Sequence, residues 1–140
     1  VLFNGSTQSE RGRVAFRSYL KWERQSSLQI ASTEVRLVSE KHQFGGTMDA
    51  LIVDGDLSIC DFKTSKSVYE SFLIQIAAYK ILWEEAHPER PITGGFHLLK
   101  FSKLNGDFAH HYYDALPEAE EAFLLMRRLY DITKNLKQRV

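Results

Sequence analysis

The segment that most constrains this chain is Thr47 to Lys63, where Asp54-Gly55-Asp56 separates two alternating runs, Thr47–Val53 and Leu57–Lys63. Asp-Gly between β-patterned runs is a strong hairpin signal, because glycine supplies the backbone conformations that a tight reversal needs. If the connection is the three residues 54–56, positions facing each other sum to 110. Val53 then faces Leu57, Leu51 faces Ile59, and Asp49 faces Asp61. Side chains two apart on a strand share a face, so Asp61 and Lys63 leave the same side as Leu57 and Ile59. That face is apolar near the turn and carboxylate-rich at the far end. A strict two-residue turn on Asp54-Gly55 would shift the sum to 109 and put Asp49 and Asp61 on opposite faces. The two carboxylates meet only with the odd loop or an equivalent bulge.

The flanking sequence supplies further elements. Ser9–Arg24 reads as a helix with Val14, Phe16, Leu20 and Trp22 as an imperfect apolar side. After Ser26-Ser27, Thr33–Val38 alternates as a strand, and Gly45-Gly46 permits a close-packed entry into the hairpin. Tyr69–Glu85 is a helix closed by His87-Pro88, and Gly94–Phe101 with Asp107–Tyr113 form a second hairpin around Leu104-Asn105-Gly106. Pro117 opens a long amphipathic helix to about Lys137, with Ala122, Leu125, Leu129 and Ile132 expected on its inner side. The order is α-β-β-β-α-β-β-α, an α+β arrangement with a mixed sheet flanked by helices.

Bulk properties bound the function classes. A chain of 140 residues, 44% hydrophobic and 26% charged, fits a single soluble domain with a real core. It has no apolar run long enough to cross a bilayer, so no membrane partner is expected. Val1–Ser6 reads as a fragment edge or tag remnant and takes no part in the fold argument. Cys60 is the only cysteine, which excludes an internal disulfide, a cysteine-based zinc site and an iron–sulfur cluster, and fits an intracellular, cytoplasmic setting. Net charge is zero, unlike a generic nucleic-acid binder. Local charge is less even. Arg13, Arg17, Lys21 and Arg24 stripe one helical face, for which a solvated surface is the plainer reading.

Chemistry concentrates at the hairpin's far end. Two carboxylates across a ladder repel unless something neutralises them, and a hard cation such as Mg²⁺ is the usual remedy. With a phosphodiester bound, such an ion polarises the phosphoryl group and activates water, and Lys63 beside it can orient that water. Asp-x-Lys alone is common, and an accidental surface pair is the competing explanation. Gln75 and Tyr79 are four apart on one helical face, where the amide interrupts the apolar run Phe72–Ala78 and needs a partner. A glutamine tied into the core with a tyrosine packed on it is the alternative. His110 and His111 point to opposite faces of a strand and cannot chelate one ion together. They read as ordinary strand residues.

Taken in order, Gly46-x-x-Asp49, Asp61-Phe62-Lys63-Thr64-Ser65 and Gln75-x-x-x-Tyr79 resemble the RecB-type branch of the PD-(D/E)XK nuclease superfamily, in the flavour of phage exonucleases and the mitochondrial genome maintenance exonuclease. The resemblance runs from about Thr33 to the C-terminus and matches that family's αβββαβ core. It implies a restriction-endonuclease-like fold and Mg²⁺- or Mn²⁺-dependent hydrolysis of DNA, in a bacterial or phage setting of recombination, repair or replication. It also implies Asp49 and Asp61 as metal-binding carboxylates, the Phe62 carbonyl as a further ligand and Lys63 as the catalytic lysine. Gln75, Tyr79 and Thr64 would support the site and contact DNA, and Glu34 matches an acidic position on the first core strand. One departure stands out. Members of this branch usually carry an upstream metal-binding histidine in a G-x-x-x-H context, and none precedes Thr33 here. The expectation is a nuclease core that either lacks that upstream helix or works with fewer ligands, with a non-catalytic binding module as the alternative and oligomeric state left open.

Overall fold

The computed structural model describes residues 10–25 and 28–140. The expectations for Val1–Ser6, for Ser9 and for the Ser26-Ser27 break lie outside them. Eight elements follow in order: α1 (Glu10–Gln25), β1 (Gln29–Ser39), β2 (Phe44–Asp54), β3 (Asp56–Lys63), α2 (Glu70–Ala86), β4 (Phe96–Phe101), β5 (Phe108–Tyr113) and α3 (Pro117–Lys137). This is the α-β-β-β-α-β-β-α order and the α+β class expected from sequence. The strands form one mixed sheet in the order β1-β2-β3-β4-β5. β3 and β4 are parallel because α2 carries the chain across one face between them, and the other pairs are antiparallel.

The first hairpin takes the odd-loop register. Asp54 pairs with Asp56, Val53 with Leu57 and Leu51 with Ile59, and Gly55 turns the chain at φ 74°. Alternation then sorts β3 between two cores. Leu57 and Ile59 pack under α2 with Leu51, Ile76, Tyr79, Leu82, Trp83 and Phe96. Cys60 and Phe62 face α1, where Tyr19 and Trp22 meet Ala50, Ile52, Leu99 and Phe101. The rings of Tyr19, Trp22, Phe62 and Phe101 lie about 6 Å apart in mostly edge-to-face contacts. Tyr19, missing from the expected apolar side of α1, is central to this cluster.

α3 differs from expectation in the face it turns inward. Leu125, Leu129 and Ile132 are exposed and Ala122 only half-buried. The packed side instead follows Ala119, Phe123 and Arg127, each four apart. Ala119 joins the α2 core, the Phe123 ring packs at a tilt with its centre 4.5 Å from that of Phe44, and Arg127 Nε donates to the His42 carbonyl at 2.9 Å. Lys80 on α2 fixes the same helix through Glu120 at 3.0 Å. Apolar residues run around most of α3, so polar anchors at its N-terminal half decide its rotation.

Candidate active site

β2 and β3 part company at Asp49. Their backbone ladder runs from the turn to Ala50 and Cys60. At the next position the Phe62 N–H donates to Asp49 Oδ2 at 2.9 Å, so a side-chain oxygen takes the place of a strand carbonyl. β3 does not fray, because β4 holds it on the other side through Asp61–Leu98, Phe62–Leu99 and Lys63–Lys100. The Phe62 ring pins the same residue from the α1 face. Asp61 and Lys63, which flank it, are thereby fixed on the α2 face.

Asp61 is 1% exposed. Burial first, then contact with the Asp49 carboxyl, push its carboxyl up to about 7 against a partial offset from Lys63. Lys63 Nζ lies 3.0 Å from Asp61 Oδ2, but the approach is not aligned as a hydrogen bond. That oxygen therefore has an ion-pair neighbour and no directed donor among the described residues. Nζ instead donates to Gln75 Oε1 at 2.6 Å and sits 4.8 Å from the centre of the Phe72 ring. Gln75 Nε2 passes the chain on to the Tyr79 hydroxyl at 2.8 Å. Burial first, then the Asp61 and Asp49 carboxylates, push the Tyr79 phenol up to about 12, so it stays neutral at physiological pH. Gln75 is thus no core amide. It is exposed and bridges Lys63 to Tyr79.

Gly46 sets how closely α2 lies on β2. A Cβ there would stand 3.1 Å from the Tyr79 ring, so the ring would have to shift by a few tenths of an ångström to admit one.

Asp49, Asp61, Lys63, Gln75 and Tyr79 therefore converge. Thr64 follows on the loop and lines a cleft described below. Glu34 does not join them. The β1–β2 pairing passes from Thr33–Ala50 to Val35–Met48 without pairing Glu34 or Asp49. Glu34 is exposed, with φ at 51°, and its charge is not among those felt by Asp61 or Tyr79. A left-handed residue in mid-strand turns its side chain out of the pleat.

Two groupings escaped the sequence reading. Lys100 stands beside Lys63 in the parallel ladder, so both side chains leave one face. On the α1 face His97 Nδ1 lies 2.8 Å from His110 Nε2, a diagonal pair across β4 and β5. His111 points to the opposite face, as expected. Among the described residues no group of three or more His, Cys, Asp or Glu side chains is placed to hold a metal. None of their helices is long and apolar enough to cross a membrane.

No family model and no curated protein matches the sequence. Solved structures do match. One from Eubacterium rectale, named "Putative exonuclease", superposes with a TM-score of 0.59 over 91% of this chain at 14% identity. The two proteins share a nuclease-like fold. The chain spans 54% of that structure's length, and at this identity the likeness concerns the fold and not the chemistry.

Proposed function

We propose that the protein is a metal-dependent DNA nuclease of the PD-(D/E)XK superfamily, RecB-type branch, acting as an exonuclease. The observation that carries this reading is the convergence of Asp49, Asp61 and Lys63 where β2 and β3 separate. The name of the Eubacterium rectale structure agrees with it.

The donor set fits a hard cation. Two carboxyls are in contact, and one carries a buried oxygen with no directed donor, its ionised form disfavoured by burial and by its neighbour. A divalent ion on Asp49 and Asp61, with the Phe62 carbonyl and water, would remove that penalty. Mg²⁺ and Mn²⁺ suit an all-oxygen site with one or two carboxylates. When bound, the ion supplies Lewis acidity and a more acidic water.

The chain's own residues do the rest. Asp49 holds β3 through the Phe62 N–H, which fixes the spacing of the two carboxyls. Lys63 has three N–H donors. Gln75 takes one and Asp61 orients the ammonium, so a further N–H is free for the attacking water or a non-bridging phosphoryl oxygen. Attack at phosphorus and departure of the ester oxygen leave a phosphate monoester and a free hydroxyl, with the positive charge of Lys63 beside the developing negative charge. Gln75 and Tyr79 act through Lys63 as positioning residues.

A second reading, a nuclease-fold module that binds nucleic acid without cutting it, draws on the lack of a three-ligand metal cluster among the described residues. One experiment separates the two. End-labelled DNA is incubated with wild type and Asp61→Ala across a Mg²⁺ and Mn²⁺ titration, and metal binding is followed by calorimetry. Metal-dependent cleavage lost in Asp61→Ala is the expected result. Wild type that binds neither ion at millimolar concentration and leaves DNA intact would remove the nuclease reading.

A further inference from the structure

Beside the proposed site lies a cleft of about 580 Å³ between the segment following β3 and the β4–β5 turn. Thr64, Ser65 and Lys66 form one wall, and Lys100, Ser102 and Lys103 the other. Three ammonium groups line it against the single carboxylate of Asp107. None of the three lysines forms an ion pair with a described residue. Lys100 Nζ donates to the Lys66 carbonyl at 2.9 Å, a neutral acceptor that fixes its position while leaving its charge uncompensated.

The walls are built rather than loose. Ser102 Oγ accepts from the Leu104 and Asn105 N–H groups at 3.1 and 3.2 Å, and Asn105 Oδ1 accepts from the Asp107 N–H at 3.0 Å. Ser102 N–H donates to the Asp107 carbonyl at 2.8 Å and closes the turn. The bond from Lys100 ties the opposite wall to β4. A chain with no net charge that gathers uncompensated lysines in a concave, braced cleft has made a local anion site.

The cleft is continuous with the chemistry. Thr64 follows Lys63 directly, and Lys100 is its rung partner, about 4.8 Å away backbone to backbone. A strand whose scissile phosphodiester lay at Asp49, Asp61 and Lys63 would pass Lys100, the rung partner of Lys63, and the cleft that Lys66 and Lys103 also line. The basic stripe of α1 lies across the sheet and offers no such continuity.

We infer that this cleft binds the phosphodiester backbone of the strand being cut, with Lys100 and Lys103 holding the phosphates next to the scissile one. The inference rests on the nuclease reading for the identity of the strand, but its test does not use cleavage. Binding of a fluorescent single-stranded oligonucleotide is measured in EDTA over a series of salt concentrations. The proteins compared are wild type, Lys100→Ala/Lys103→Ala, and the control Lys134→Ala/Lys137→Ala on the exposed end of α3.

Loss of two phosphate contacts should lower affinity about 5–10-fold near 0.1 M salt and flatten the salt slope by roughly 1.4, at ~0.7 per single-strand phosphate. The control should match wild type. Lys103→Ala alone, on an exposed turn, should show about half the slope change, and Lys100→Arg should retain binding. The inference is overturned if the double variant binds within twofold of wild type with the same slope. It is equally overturned if the α3 control weakens as much, or if wild type binds no strand. Should the double variant lose affinity while Mg²⁺-loaded wild type leaves DNA intact, the cleft stands and the hydrolysis reading fails. Should wild type cut DNA and the double variant bind normally, the cleft fails and hydrolysis stands.

Discussion

β3 gives its two faces opposite duties. Toward α1 it sends Cys60 and Phe62 into an aromatic cluster with no room for charge. Toward α2 it sends Asp61 and Lys63 into a chain of polar contacts that ends on Tyr79. The first face follows ordinary packing logic. The second holds a carboxyl whose ionised form is disfavoured, in contact with another carboxyl. A strand that places its functional residues at every second position can be anchored by the ones between, so the strain on one face is held by packing on the other.

Substitutions at neighbouring positions should therefore separate function from stability. Asp61→Asn should reduce cleavage by ~10³-fold or more, several kcal/mol of transition-state stabilisation. Phe62→Ala should cost about 3–5 kcal/mol of folding stability, as large aromatic truncations in packed cores do. Thermal melts and a cleavage assay on both variants check this. If Asp61→Asn unfolds the metal-free protein as severely as Phe62→Ala does, the division of labour between the faces is wrong.

The faces should also answer pH in opposite directions. The folded pKa of Asp61 is about 7, above its unfolded value of ~3.9, so its contribution is fully present below pH ~4 and is lost as pH rises through about 7. His97 is the reverse case. Burial first, then His110, lower it from 6.5 to about 4, against a smaller opposing pull from Asp54. Its contribution is present above pH ~6.5 and is lost as pH falls toward 4. Melting temperatures of metal-free protein from pH 4 to 8 should show the two trends separately. Asp61→Asn should remove the loss toward high pH, and His97→Gln the loss toward low pH, each on the order of 1–3 kcal/mol. An Asp61→Asn profile identical to wild type would mean that the carboxyl is not held in the environment described.

Much of this could be read in the sequence, because the relevant spacings are local. Asp-Gly-Asp and strict alternation give the register of the first hairpin, and that register brings Asp49 to Asp61. Gln75 and Tyr79 share a helical face by spacing alone. What could not be read depends on long-range geometry. Lys63 and Lys100 are neighbours only once α2 has crossed the sheet, and nothing in either strand specifies that parallel register. α3 carries apolar residues on several faces, so periodicity selected Leu125, Leu129 and Ile132, whereas Phe123 and the polar anchors Glu120 and Arg127 set the rotation. Glu34 sits on β1 at an exposed position with φ at 51°, between the Thr33–Ala50 and Val35–Met48 pairs, a local irregularity that strand alternation does not foresee.

The smallest expected effect concerns how the polar chain transmits position. Gln75 touches Lys63 directly, whereas Tyr79 reaches it only through Gln75. Gln75 is exposed, so its alanine variant should melt within about 1 kcal/mol of wild type while losing the 2.6 Å hold on Lys63. Cleavage should fall about 10-fold, mainly in kcat, because a wandering ammonium costs more in the transition state than in binding. Tyr79→Phe keeps the ring against Gly46 and removes the hydroxyl that accepts from Gln75 Nε2, which can then donate to water. Its rate should stay within about threefold of wild type, with KM unchanged. The order of the two effects is the informative result. If Tyr79→Phe proves the more damaging and raises KM, the phenol contacts the substrate itself. The α2 side would then contribute a binding group, and Gln75 would be the residue acting at second hand.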